Sequence, residues 1–168
     1  MLWADNNFKI TPATFDSWGR ILEKVKGSVL LIYVDNESAQ INLIKEITLR
    51  GIDPSRLIFG ERLSKSEYLA RYRVADLFLD THPYNAGTTA SDALRMELPV
   101  LTYLGSAAAS RHAASVINAL NLPELITTTK EEYESLAIEL ATNPEKLKLI
   151  KDKLLGNLPI APLYDTPM

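Results

Sequence analysis

Apolar residues along the chain follow two alternating rhythms. Between positions 12 and 25, Phe15, Trp18, Ile21, Leu22 and Val25 recur at spacings of three and four, which lays them along one face of a helix. Thr11 directly before Pro12 marks its start, an N-cap followed by proline in the first turn, and Gly27 closes it. The run SVLLIYV (28–34) follows without a polar interruption and stops at Asp35-Asn36-Glu37. So short and continuous a run suits a strand buried on both faces, as in a parallel sheet. The two signals then repeat: a helix over 37–50 ending at Gly51, a strand RLIFG (56–60), a helix over 64–73 and a strand DLFLD (76–80). After these come a helix over 89–97, a strand PVLTY (99–103), a helix over 107–120, a short ELIT (124–127) and a charged helix from Lys130. Strands regularly separated by helices imply right-handed βαβ crossovers. The pattern predicts an α/β fold, a Rossmann-like doubly wound parallel sheet of about five strands.

The two ends fit this pattern less well. The first eleven residues open with MLW, have no preceding strand to pair with, and look like the cut start of a longer chain. The stretch 156–168 carries three prolines and one glycine and reads as an extended tail.

Length and charge then narrow the function. At 168 residues the chain fits one domain, 1–168, large enough to bury a core. With 18 Lys and Arg against 21 Asp and Glu the net charge is −3, and no basic run exceeds two residues, which disfavours a nucleic-acid partner. There is no cysteine, which removes disulfides, thiolate metal sites and a Cys nucleophile. The longest apolar run, Val29 to Val34, is far too short to span a membrane, and MLWADNNFKI is no signal peptide. The expected location is cytoplasmic.

Ligands of doubly wound sheets bind beyond the carboxyl ends of the strands, where the topology switches. Residues placed there are Asp35-Asn36, Gly60 to Lys65, Asp80 to Thr89 and Leu104-Gly105-Ser106. In ADLFLDTHPYNAGTTASDALRME (75–97) the apolar strand ends at Asp80 and small polar residues lead into a helix. Such a helix start can cradle phosphate, because its first N–H groups point outward and its dipole favours an anion. Thr88 and Thr89 would supply hydroxyls, and Gly87 would let the backbone come close. Thr89 to Asp92 reads equally as a capping-box variant, while Asp92 could instead take ribose hydroxyls.

Lys65, Tyr68 and Arg71 share a helix face only approximately; they could stack on a base and supply charge, or form a solvated helix start. Lys9 by itself is an ordinary surface lysine. His82 reads as a loop residue and His112 as a helix-surface or packing residue, and two histidines without carboxylates at ligand spacing make no metal site. Neither a P-loop nor a Gly-x-Gly-x-x-Gly is present, nor a nucleophile elbow.

The ordered series NNFKITP (6–12), DPSRLIFGERLSKSEYLARYRVADLFLDTHPYNAGTTASDAL (53–94), LPVLTYLG (98–105), SRHAASVINALNLPELI (110–126) and APLYDT (161–166) resembles the C-terminal catalytic half of glycosyltransferase family 41. That family holds the O-GlcNAc transferases and their bacterial, often TPR-linked, relatives. The resemblance implies the nucleotide-sugar-binding half of a GT-B fold in an inverting protein O-linked glycosyltransferase. Its donor would be a UDP-sugar, UDP-GlcNAc foremost, used without a metal cofactor.

By motif, Lys9 looks like the lysine that neutralises the leaving diphosphate, and Asn6 stands where the animal enzymes have a glutamine near the sugar-phosphate. Lys65 would hold the ribose or uridine. Tyr68 stands where a histidine stacks on uracil, and Arg71 would flank the base. Thr88 and Thr89 would bind the diphosphate and Asp92 the ribose. Gly87 departs from a histidine of the animal transferases, which bears on the donor-sugar contacts. The resemblance also implies a missing N-terminal Rossmann half, TPR repeats and a protein acceptor held by them, so that the isolated domain would show little or no turnover. The competing readings are a non-catalytic Rossmann-like scaffold and, last, a receiver-like domain suggested by Asp35 and Asp80 at strand ends.

Overall fold

A computed structural model describes residues 1–165. Six parallel strands form one sheet in the order β3-β2-β1-β4-β5-β6. They are β1 (Leu2–Ala4), β2 (Leu30–Tyr33), β3 (Leu57–Gly60), β4 (Leu77–Leu79), β5 (Val100–Tyr103) and β6 (Ile126–Thr127). The helices are α1 (Pro12–Lys24), α2 (Glu37–Leu49), α3 (Lys65–Arg71), α4 (Thr88–Arg95), α5 (His112–Ala119), α6 (Lys130–Thr142) and α7 (Pro144–Asn157). Strand order reverses between β1 and β4, so the loops leaving these two strands flank the crevice of a doubly wound sheet.

The alternating βα pattern is therefore present, with one strand more than expected. The added strand comes from the residues taken for a cut end. Leu2, Trp3 and Ala4 lie in the middle of the sheet, paired with Leu30, Leu31 and Ile32 on one side and Leu77, Phe78 and Leu79 on the other. Trp3 is 3% exposed, and its ring lies 4.5 Å from that of Tyr72. Three apolar residues give too short a run to show a period, yet a central strand needs no more when both neighbours bond to it.

Other boundaries shift for local reasons. The charged helix from Lys130 is two helices, because Asn143 caps a new start at Pro144. The expected tail begins later than 156: Gly156 and Asn157 still belong to α7, and 158–160 form a further turn. Beyond it Tyr164 docks on α4, its hydroxyl donating to Ser91 O at 2.6 Å. The last part of that tail, 166–168, lies outside the described residues.

The core is continuous across both sheet faces. Phe15, Trp18, Ile21 and Leu22 of α1 are all at most 2% exposed, on the face that the three-four spacing assigned to them. Trp18 Nε1 donates to the Tyr133 hydroxyl at 3.0 Å, which joins α1 to α6.

Candidate functional site

Because Ala4 pairs with Leu79 in register, Asp5 and Asp80 leave the sheet side by side at the switch point. Both are buried, at 2% and 3% exposure. Asp80 organises the loop that follows it. Its Oδ1 accepts from the N–H groups of Thr81 and Ala86, each at 2.8 Å, and its Oδ2 from Thr102 Oγ1 at 2.7 Å. Burial pushes this carboxyl up to about 7, with the Asp5 charge adding to the rise and the three hydrogen bonds opposing it.

The loop is tied at further points. Thr81 Oγ1 donates to Tyr84 O at 2.6 Å, Asn85 Nδ2 to Thr81 O at 2.7 Å, and Asn85 N to Ala109 O at 2.9 Å. His82 stacks on Tyr103 with ring centroids 3.8 Å apart, and its carbonyl accepts from Thr14 Oγ1 at 2.8 Å. It is a packed strut of the loop, with burial holding its imidazole below the usual range. A side chain at Gly105 would collide with Ser110 and His82, so this close approach requires glycine.

The loop delivers the backbone to α4, whose N-cap is Gly87. Side chains cap α1, α2, α3, α6 and α7, whereas α4 and α5 have no side-chain cap. The capping-box reading of Thr89 to Asp92 is thus set aside: the cap position belongs to Gly87, and neither residue fills it. Thr88 is exposed, while Thr89 Oγ1 is buried with no hydrogen-bond partner among the described residues. A polar group left in that state carries a desolvation cost that a bound acceptor or donor would remove.

Lys9 reaches the same place from β1. It ends a short turn, Asn7–Lys9, and its Nζ lies 2.6 Å from Asp5 Oδ2, with side chains 9% and 1% exposed. It is a sequestered cation, unlike the surface lysine its neighbourhood in sequence suggests. The ammonium also sits 4.9 Å from the ring centroid of Tyr84, in the loop after β4. Asn6 donates its backbone N–H to Asp5 Oδ1 at 2.8 Å, and so begins the turn that carries Lys9.

Helix α3 forms the third wall. Ser64 caps it in a capping box with Glu67, and Lys65 follows as an exposed residue in its first turn. The Tyr68 hydroxyl is hydrogen-bonded to that of Tyr72. Burial raises the Tyr68 pKa, against the hydrogen bond with Tyr72 that opposes the rise, and the charges of Asp92 and Asp5 add to it. Arg71 turns towards β3: its Nη2 donates to Glu61 O at 3.1 Å, and a Cβ on Gly60 would come within 2.5 Å of its Nη1. At the carboxyl ends of the strands Lys9 thus stands against Tyr84, in the loop that leads to the Gly87–Thr89 turn, while Lys65, Tyr68 and Arg71 lie on α3 and Asp92 within α4.

Asp5 was missed, and Asp80, though placed at a ligand-facing strand end, was not expected to organise the loop that follows it. The Asp5-to-Lys9 spacing of four was visible, but it acts through a tight turn and not along a helix. Among the described residues no three His, Asp or Glu side chains gather as metal ligands, and no helix is long and apolar enough to cross a membrane.

The profile of glycosyl transferase family 41 matches residues 3–168. The chain is 35% identical over 158 residues to a UDP-N-acetylglucosamine–peptide N-acetylglucosaminyltransferase of Caenorhabditis elegans, covering 94% of this chain and 14% of that one. It is 31% identical to a probable enzyme of the same name, SEC, from Arabidopsis thaliana, covering 95% of this chain and 16% of the relative. Its structure superposes on a variant of the Thermobaculum terrenum O-GlcNAc transferase with a TM-score of 0.91 at 28% identity, covering 98% of this chain and 32% of that one. The chain therefore spans well under half the length of the relatives it matches.

Proposed function

The chain belongs to glycosyl transferase family 41, and from that membership we propose that it is the UDP-sugar-binding half of a two-domain protein glycosyltransferase. The observation that carries this reading is an uncapped helix start at the switch point that bears an unpartnered threonine hydroxyl, with a sequestered lysine packed against the loop leading to it. An anion bound there is met by α4 N–H groups, by the Thr88 and Thr89 hydroxyls and by Lys9. Tyr68 and Asp92 then flank the nucleoside, Tyr68 against the base and Asp92 towards the ribose, with Lys65 and Arg71 closing the α3 edge. UDP-GlcNAc is the donor in this reading, and a peptide hydroxyl the acceptor.

In the transfer step the bond from the anomeric carbon to the diphosphate oxygen breaks, and negative charge grows on that oxygen. Lys9 and the α4 dipole stabilise it, more strongly in the transition state than in the bound donor. The acceptor oxygen forms the new bond from the opposite face, its proton passes to water or to the departing diphosphate, and UDP leaves. In this proposal the acceptor is positioned by parts of the parent protein outside these residues, so the isolated chain binds donor without turning it over.

Titration calorimetry with UDP and uridine, each with and without EDTA, tests the reading. UDP is expected to bind more tightly than uridine and to be indifferent to chelation. Strict metal dependence, or equal affinity for the two, would overturn it. The Thr88→Val/Thr89→Val double variant should lose about 1.5–3 kcal/mol for UDP, the range for hydrogen bonds to charged groups, and little for uridine.

A further inference from the structure

We propose that His112 is a further donor-binding residue, its imidazole contacting the phosphate of the diphosphate that lies farther from the nucleoside. This rests on the placement of the diphosphate at the start of α4. A Cβ built on Gly87 meets a single residue within 4 Å, and that is His112, with Nδ1 at 3.9 Å. The position before Thr88 therefore has no side chain of its own, and an imidazole from another helix borders the space.

Three observations make the approach a built feature. Asn85 N donates to Ala109 O at 2.9 Å, which clasps the loop before α4 to the turn before α5 and fixes Gly87 against His112. Neither ring nitrogen of His112 takes part in a hydrogen bond or ion pair among the described residues, and the residue is exposed, so its donors are free for a ligand. Its neighbour Arg111 points elsewhere, donating from Nη1 to Gly105 O at 3.1 Å. Among the unmatched buried polar atoms of the same segment are Thr89 Oγ1 and Oδ1 of Asn85, a residue only 2% exposed.

The direction of the ligand follows from the sheet. Tyr68 belongs to α3, and Tyr72 in the turn directly after it packs on Trp3 of β1, whereas α5 packs against β5 on the other side of β4. A nucleoside held at Tyr68 and Asp92 therefore directs its diphosphate across the α4 start towards α5. The distal phosphate is the part of the donor that comes to His112.

The experiment measures the affinities of uridine, UMP and UDP for the wild-type chain, His112→Ala and His112→Gln. His112→Ala should weaken UDP about tenfold or more, as for a lost hydrogen bond to a charged group, and leave uridine and UMP within about twofold. Gln keeps a donor and should recover part of the loss. Because the side chain is exposed, melting temperatures should coincide. UDP binding that is indifferent to His112→Ala, or weakened equally with uridine, overturns the proposal alone. Failure of the wild-type chain to prefer UDP over uridine overturns the site reading with it.

Discussion

Lys9 and Asp5 show what changes when a single residue is placed in three dimensions. A surface lysine can be removed at a cost within about 0.5 kcal/mol. Here Lys9→Ala would strand a carboxylate that is 1% exposed, and breaking one side of a buried pair costs about 3–5 kcal/mol. The expected result in urea denaturation is a loss of that order for Lys9→Ala, largely recovered in the Lys9→Ala/Asp5→Asn double variant. UDP affinity should stay low in both, which separates the stability role from the binding role. Asp80 makes a second prediction, about pH. Its folded pKa of about 7 lies above the ordinary carboxylate value of 3.8, so between these values the native state holds more proton than the unfolded state. Stability from this group is therefore present at pH 4 and declines as pH rises towards 7. In Asp80→Asn the amide can accept from Thr81 and Ala86 and donate to Thr102. The variant should match the wild type near pH 4, and at pH 8 exceed it by a margin on the order of 1 kcal/mol or more. Melting curves of the pair across pH 4–8 check this, and a constant difference would count against it.

At the scale of elements, what could be read in the sequence is what repeats. The α1 stripe spans about three turns, so Phe15, Trp18, Ile21 and Leu22 announced a buried face, and β2 announced itself by an unbroken apolar run. The turn before α4 was legible because small polar residues between a buried strand and a helix have few other uses. By contrast β1 is three residues long and is made a strand by its neighbours β2 and β4, a tertiary cause with no local signature. The roles of Asp80 and Asn85 within the flagged stretch escaped for the same reason: their partners are the loop backbone, Thr102 and Ala109, and only the folded loop brings these together. If β1 is the central strand, Trp3→Ala should cost about 3–5 kcal/mol, the usual range for a buried aromatic reduced to alanine. An untethered N-terminal segment would lose almost nothing. Chemical denaturation of this variant reads the difference directly.

For the whole molecule, the sheet order places every proposed donor contact along one edge, the carboxyl ends of the strands, and leaves that edge open to whatever faces it. Phe8, 71% exposed, and Tyr84, 49% exposed, stand there beside Lys9. Donor binding and transfer thus draw on different amounts of protein. In the proposed reading donor binding draws chiefly on the α4 start and Tyr68, both of which this chain holds. Transfer also needs an acceptor oxygen aligned behind the anomeric carbon, and orientation of that kind supplies on the order of 7–11 kcal/mol of the barrier reduction. With the nucleotide half alone, the sugar would face solvent and no acceptor would be held. The expected outcome is saturable UDP-GlcNAc binding by the 168-residue chain with no transfer to peptide above background, read by calorimetry and by a radiolabelled-sugar assay on the same preparation. In a protein that joins this chain to an acceptor-binding half, substituting Lys9 should lower kcat far more than donor affinity, because the ammonium meets a charge that is larger in the transition state than in the bound donor. A raised KM with kcat unchanged would instead make Lys9 a uniform binding residue. Measurable turnover by the isolated chain would mean that this half positions the acceptor by itself.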